Sequence, residues 1–409
     1  MMSRAESKPD ARMLFVHDHH FIPYKGEVYS EVQYDAHHWL RYLDVFTELM
    51  VVGRDSELRL GLQPERLLRS SRSGVSFTLL PSLSGVGAQL KQRATVTRRM
   101  RELIAHVGWV VARVPSELGL VAISVARELG KPCLVEVVDC AWDGLWHYGD
   151  WQGKVYAPVM AWRVRRAVAQ ATWVQYVTRD FLQQRYPNKS RGQLSCSNVE
   201  IAPPDTSVLA RRMERINRGF VDQAFTLGLI GTLATRHKGI QTVLAALPRL
   251  LVRFPHLTFR VLGGGDPAPW QAEAKRLGVA DRVYFDGVLP AGPAVMAWLD
   301  QIDLYVHPSF KEGLPRALIE AMSRGCPAIA SRVGGIPELL GEGCLMDAGH
   351  VNALTSLASR LLDSQEQLVL HAQRNFQVAG VYNREILQGK RRDFLHRFRD
   401  ETARMDRAE

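Results

Sequence analysis

The sequence predicts an α/β protein made of two domains, each a doubly wound parallel sheet, and three observations predict it. At 409 residues the chain exceeds one ordinary core, so two domains of about 200 residues each are expected. Short apolar runs without alternation, such as Met13–His17, Trp109–Pro115 and Cys133–Asp139, read as strands buried on both faces. Helical stretches such as Leu118–Leu129, ended by Gly130, alternate with these runs through short connections. That alternation belongs to sheets whose ligands bind beyond the carboxyl ends of the strands.

Composition narrows the class. The net charge of +10 favours an anionic partner. Nucleic acid is not expected, because the chain carries no recognition module. Five scattered cysteines, Cys133, Cys140, Cys196, Cys326 and Cys344, form no C-x-x-C pair and cannot all pair internally, which fits a reduced, cytoplasmic setting. Met1–Asp10 is polar and shows no basic-then-apolar leader. The longest apolar region, Val107–Val125, is interrupted by Arg113 and Glu117, so no transmembrane helix is expected and any membrane contact would be peripheral.

In the N-terminal domain, expected over residues 1–205, the first strand leads into a loop carrying Asp18, His19, His20, Tyr24, Lys25 and Gly26. The spacing of His17, His19, His20, His37 and His38 matches no standard zinc pattern, so no metal site is assigned. Glu48–Gly53 reads as a second strand. The region Arg54–Arg101 is basic, with Arg59, Arg66, Arg69, Arg72, Arg98 and Arg99 among its cations, and it holds the apolar stretch Leu79–Leu90. A solvated helical face and a surface for anionic lipid both fit it.

Asp139 ends the strand Cys133–Asp139, where a carboxylate can accept a proton, orient a hydroxyl or cap the next segment. Trp142, Trp146 and His147 follow, in an aromatic cluster suited either to sugar rings or to packing between domains. A basic amphipathic helix over Ala157–Ala169, a strand over Trp173–Val177 and a helix over Thr178–Tyr186 complete this half. Val199–Ala202 should close it, with Pro203, Pro204 and the charged run beyond as the linker.

The C-terminal domain, expected over residues 222–380, opens on the strand Phe225–Ile230. Its most informative stretch runs from His307 to Gly325. An apolar run, Asp303–Val306, enters a polar loop, and Pro315 stands where a helix takes its first residue at no cost in hydrogen bonds. Ala317, Leu318, Ala321 and Met322 recur at helical spacing, and Gly325 suits a left-handed cap. The free amides around Gly313, Leu314, Pro315 and Arg316 make an anion site at the helix start. Glu312 lies just before that end, and Glu320 lies inside the helix with its side chain tilted back toward it. Carboxylates repel phosphate and accept hydroxyls, so a guest with phosphate in the middle and hydroxyl-rich rings at both ends fits: a nucleotide-sugar.

These residues resemble the E-x7-E signature of retaining, family 4 type (group 1) glycosyltransferases of the GT-B fold. Further landmarks carry the resemblance: Leu227-Gly228-Leu229-Ile230-Gly231, Lys238-Gly239-Ile240, Val261-Leu262-Gly263-Gly264-Gly265, Arg282-Val283-Tyr284-Phe285-Asp286-Gly287 and Gly334-Gly335-Ile336-Pro337-Glu338. The resemblance implies two Rossmann-like domains facing across a cleft, and a last helix over 381–409 that returns to the N-terminal domain. It implies transfer of a sugar, with retention, from a nucleotide diphosphate sugar to a saccharide or lipid-linked acceptor in surface polysaccharide synthesis, at the inner face of the cytoplasmic membrane.

Residue by residue, the resemblance assigns Glu312 to the donor sugar, Glu320 to the ribose, Lys238 to the diphosphate, Gly287 and Val288 to the base, Gly26 to close approach of the diphosphate and Asp139 to the acceptor. The chain departs from the family at three places. Asp139 stands where a histidine is usual, Thr232 where an arginine is usual, and the Gly-Gly pair near Gly26 is missing. Arg236 is the candidate to replace the lost cation. No D-x-D motif is present, so neither a metal nor another cofactor is expected. An epimerase or hydrolase of nucleotide sugars, or a non-catalytic nucleotide-sugar-binding subunit, would share these features.

Overall fold

The computed structural model describes residues 11–31, 33–56, 67–83, 86–148, 151–219 and 224–405. The nine-stranded N-terminal sheet has a parallel core in the order Val75–Leu80, Glu48–Asp55, Arg12–Tyr24, Trp109–Val114, Cys133–Val137, Trp173–Tyr176, Gly192–Ser195. Glu27–Ser30 and Leu68–Arg69 extend it antiparallel. Its first strand shows why such runs lack alternation. Leu14 and Val16 pack into one core, under the helices Val86–Ala105 and Glu117–Glu128, while Met13 and Phe15 pack into another on the opposite face.

The six-stranded C-terminal sheet is parallel throughout, in the order Val283–Phe285, Thr258–Leu262, Thr226–Ile230, Leu304–His307, Ala328–Ser331, Leu345–Met346. Numbered along this half, that is 3-2-1-4-5-6, with the order reversing between Thr226–Ile230 and Leu304–His307. At such a reversal the loops leave to opposite faces and a crevice opens beyond the strand ends. The two loops there carry Lys238 and Glu312.

The N-terminal sheet has its own reversal, between Arg12–Tyr24 and Trp109–Val114. There Ser116 caps the helix Glu117–Glu128, accepting a bond from Gly119 N at 2.9 Å. The carboxylate of Asp18 takes the next amides, Glu117 N at 2.6 Å and Leu118 N at 3.0 Å. The chain's own carboxylate thus fills the position a phosphate would seek.

Several expectations differ from the structure. The first strand runs to Tyr24 instead of ending at His17, because a register shift between Val16 and His20 lets it continue before pairing with Glu27–Ser30. Val199–Ala202, expected to close the N-terminal half, lies beyond its last strand. The sheet ends at Gly192–Ser195, and Ile201 only bridges Asn383 where the chain crosses back. The charged run beyond Pro204 is the helix Thr206–Asn217, with Arg212 donating to Leu299 O and Ile302 O of the C-terminal half. The helix Arg384–Met405 packs Phe394, Leu395 and Phe398 against the N-terminal sheet, and Trp109 Nε1 donates to Thr402 Oγ1 at 2.9 Å. Among the described residues no helix is long and apolar enough to cross a membrane.

Candidate active site

The helix Arg316–Ser323 starts after Pro315, whose backbone is extended (φ −74°, ψ 114°), and stops at Gly325, which adopts φ +60°. Leu318, Ile319, Ala321 and Met322 are its buried side, so the opposite side and the amino end face the crevice. Two close approaches hold the loops around that end. A Cβ on Gly239 would lie 2.0 Å from Pro308 O, and Gly239 has φ +78°. A Cβ on Gly334 would lie 1.9 Å from Glu312 O, at φ +56°. Both positions therefore require glycine.

Glu312 is the centre of the crevice. Its Oε1 accepts from Lys238 Nζ at 2.6 Å, from His307 Nε2 at 2.8 Å and from Ser309 Oγ at 2.7 Å. Burial raises the pKa of this carboxyl, but His307 and then Lys238 more than offset it and hold the group well below the usual carboxylate range. All three bonds use one oxygen, so the other is not consumed by them. Lys238 has two further ammonium protons for a guest. Tyr305 backs the cluster, its ring stacked on His307 at 5.9 Å.

Glu320 faces the same end and forms an ion pair with Arg316 at 3.2 Å, one turn before it. Burial raises its pKa, partly offset by Arg316. Gly287 adopts φ +71° after the strand Val283–Phe285, and Val288 beside it is 73% exposed and lies against Gly264.

Asp139 lies across the gap. Its Oδ1 accepts from Cys140 N at 2.8 Å, and its Oδ2 lies 3.0 Å from Lys311 Nζ of the opposite half. Gly313 touches the same place, with its would-be Cβ 3.4 Å from Val138 O. A second bond between halves is made by Glu338, whose carboxylate accepts from the amides of Arg179, Asp180 and Phe181 at 2.7, 3.1 and 2.8 Å. Between the halves lies a cavity of about 1040 Å³ reached by Asp139, Gly313, Leu314 and Arg316.

Some candidates fall elsewhere. Gly26 occupies a left-handed turn at the tip of a hairpin, with open space where a Cβ would be, so the turn by itself accounts for a glycine there. Arg236 turns to Glu273 at 3.2 Å and lies over the Trp270 ring at 5.2 Å, away from the Lys238–Glu312 pair. Thr232 closes its own turn, accepting from Ala234 N at 3.2 Å and donating to Gly264 O at 3.3 Å. Trp142 and Trp146 stack on each other at 5.4 Å, with Trp142 packed on the N-terminal core. The His147 side chain lies outside the described residues, as do Arg59 and Arg66 of the basic region. Among the described residues no cluster of three His, Cys, Asp or Glu is arranged to hold a metal ion.

Sequence reasoning gave no role to His307, Ser309 and Lys311, although all three stand in the informative stretch. The available signal was their position at the end of the fourth strand, beside the sheet reversal. Glu338 gave no local signal, because its partners are more than 150 residues away.

Residues 224–364 match the protein family described as Glycosyl transferases group 1. The chain is similar to Protein CapJ of Staphylococcus aureus, 28% identical over 388 residues that span 94% of this chain and 95% of that one. It is also similar to the GDP-mannose-dependent alpha-(1-6)-phosphatidylinositol monomannoside mannosyltransferase of Mycolicibacterium smegmatis, 28% identical over 66% of this chain and 71% of that one. Among solved structures, HepE of Anabaena in complex with UDP aligns with a TM-score of 0.64 at 15% identity, over 97% of this chain and 100% of that one. WaaG, a glycosyltransferase involved in lipopolysaccharide biosynthesis, aligns at 0.59 and 16% identity, over 94% and 99%. At those identities the two structures speak to the fold alone.

Proposed function

We propose, starting from a glycosyltransferase chain of the GT-B fold whose residues 224–364 form a group 1 domain, that this protein moves a sugar from a nucleotide diphosphate sugar to an acceptor hydroxyl, with retention and without a metal ion. The observation that carries this reading is the half-buried Glu312, gripped by Lys238, His307 and Ser309 beside a helix amino end at the sheet reversal. The names of two similar proteins support a nucleotide diphosphate: one is GDP-mannose-dependent and another was solved with UDP.

In this reading the diphosphate lies on the amides of Gly313, Leu314 and Arg316 and on Lys238, Glu312 holds the donor sugar and Glu320 the ribose. The bond between the anomeric carbon and the phosphate oxygen breaks, and the nucleotide diphosphate leaves with the electron pair. The acceptor oxygen attacks from the same face, and its proton passes to the departing phosphate. Lys238 and the amides stabilise the charge that develops there. Asp139, released from Lys311, orients the acceptor hydroxyl.

A saccharide or lipid-linked acceptor, used in surface polysaccharide synthesis at the cytoplasmic face of a membrane, completes the proposal. One feature of the N-terminal half supports contact with anionic lipid. The helix Trp151–Ala169 has no acidic residue and leaves Trp151, Val155, Val159 and Trp162 exposed at 72, 68, 47 and 58%, a stripe at helical spacing beside Lys154 and Arg166.

The test is to incubate the protein, treated with a chelator, with UDP- and GDP-sugars and a panel of saccharide acceptors, and to read the product anomer by NMR. Transfer with the donor's own anomeric configuration is expected. Inverted product, or donor bound and cleaved equally well without acceptor, would overturn it.

A further inference from the structure

The far end of the cavity between the two halves is rich in guanidinium groups. It is formed by residues 33–44, by 197–200 and by the start of the helix Arg384–Met405. Arg41, Arg384 and Arg391 stand 3.6, 3.8 and 2.9 Å from a single carboxylate, Glu200, and Arg392 joins them on the wall. The other carboxylates lining this end, Asp35 and Asp44, are exposed, and Asp35 already accepts from His38 N. Deeper in, Arg113 is matched by Glu136 at 3.0 Å.

Arg391 and Arg41 differ in kind. Arg391 is fully enclosed and makes short bonds to Glu200 at 2.9 Å and Ser197 O at 2.8 Å, as a structural arginine does. Arg41 has a side chain only 15% exposed, yet its contacts to Asn198 Oδ1 and Glu200 Oε1 are long, 3.5 and 3.6 Å. Bonds of that length contribute little. Burial, and next the neighbouring Arg391, pull its pKa down to about 10, so the guanidinium stays charged at neutral pH. A nearly buried cation with unfilled donors is costly unless something pairs with it. His17 and His38 line the same end, and burial together with Arg113 and Arg41 lowers their pKa values. They are neutral there, suited to hydroxyls.

We infer that this end of the cavity holds an oxyanion, phosphate or carboxylate, carried by the acceptor, with Arg41 as its principal contact and Arg384 and Arg392 beside it. The planar fork of a guanidinium matches either oxyanion with two parallel bonds. The diphosphate of the donor has its own place at Lys238, on the opposite half, so the arginine set answers a second anion. The inference rests on the reading above in one respect, that the acceptor occupies this cavity.

The experiment uses the full chain, saturated with UDP or GDP, and measures binding of glucose 6-phosphate, glucuronate and glucose by NMR titration. Wild type is expected to bind at least one of the charged sugars about tenfold tighter than glucose, as befits a charge-assisted pair. The Arg41→Gln variant should lose that preference and Arg41→Lys should keep part of it, with nucleotide affinity unchanged in both. A stronger response to glucose 6-phosphate assigns a phosphate-bearing acceptor, and a stronger response to glucuronate assigns a uronic acid. Equal or undetectable binding of charged and neutral sugars by wild type, or a preference that survives Arg41→Gln, would overturn the inference. Failure of wild type to bind any nucleotide would strike the donor reading instead. Since Arg41 makes no short bond, Arg41→Gln should fold with a thermal midpoint at or above wild type, and Arg41→Lys carries the test if it does not.

Discussion

Lys238 Nζ lies 2.6 Å from Glu312 Oε1, an ion pair that ties the loop after the first strand of the C-terminal half to the loop after its fourth. The lysine is therefore held at the crevice before any guest arrives. A guest with phosphate need only draw the ammonium over, while Glu312 keeps His307 and Ser309 as partners.

Lys238→Ala is expected to lower turnover by roughly 100- to 1000-fold, the usual cost of removing one preorganised donor from a developing anion. Arg236→Ala, at a side chain turned to Glu273 and Trp270, should change it less than about threefold, in line with a surface ion pair. Initial rates with saturating donor check this. Equal small losses in the two variants would count against the assignment of Lys238.

The pH dependence of stability should show Glu312. Its folded pKa lies below the ordinary value of 4.5, so the carboxylate stabilises the fold above pH 4.5 and loses that contribution as pH falls below it. Chemical denaturation of wild type and Glu312→Gln at pH 7 and pH 3 should therefore give a gap in stability that narrows at the lower pH.

For Glu320 the sign is opposite. Burial raises its folded pKa above 4.5, with Arg316 only partly offsetting, so the charged form costs stability at neutral pH, and the cost declines as pH falls through the folded value and is gone below 4.5. Glu320→Gln should leave the thermal midpoint at pH 7 unchanged or higher, while weakening nucleotide-sugar binding about tenfold through loss of a charged acceptor for hydroxyls. Thermal melts with and without ligand read both effects.

Asp139 and Lys311 face each other across the gap at 3.0 Å, with the aspartate side chain 32% exposed. Screening limits such a pair to about 0.2–1 kcal/mol of stability. Asp139→Asn should therefore fold normally yet lower kcat/KM by ten-fold or more, on the order of a lost positioning contact. A double-mutant cycle with Lys311→Met should show a coupling in kcat/KM larger than the small one read from the thermal midpoints.

The parts legible in the sequence are those set by near neighbours. The helix after Pro315, its stop at Gly325 and the strands flanking it follow from proline, glycine and apolar spacing within twenty residues. The two carboxylates at one helix end follow from the same spacing. What escaped reading depends on partners far along the chain. The first strand runs on to Tyr24, and so sets Gly26 in a hairpin, because His20 and Phe21 pair with Arg54 and Asp55 of another strand. Arg236 could be placed in its loop, but not against Glu273 and Trp270, which sit on a helix that only folding brings near. Asp139 could be placed at a strand end, but not opposite Lys311, which lies on the other half.

The most direct measurement is a crystal structure of the full chain with the nucleotide diphosphate sugar that most raises its thermal midpoint. The expected result is the diphosphate on the amides of Gly313, Leu314 and Arg316, Lys238 drawn from Glu312 onto a phosphate oxygen, and Glu312 and Glu320 each accepting from sugar hydroxyls. A ligand seated away from that helix end, or both carboxylates turned to solvent in its presence, would contradict it.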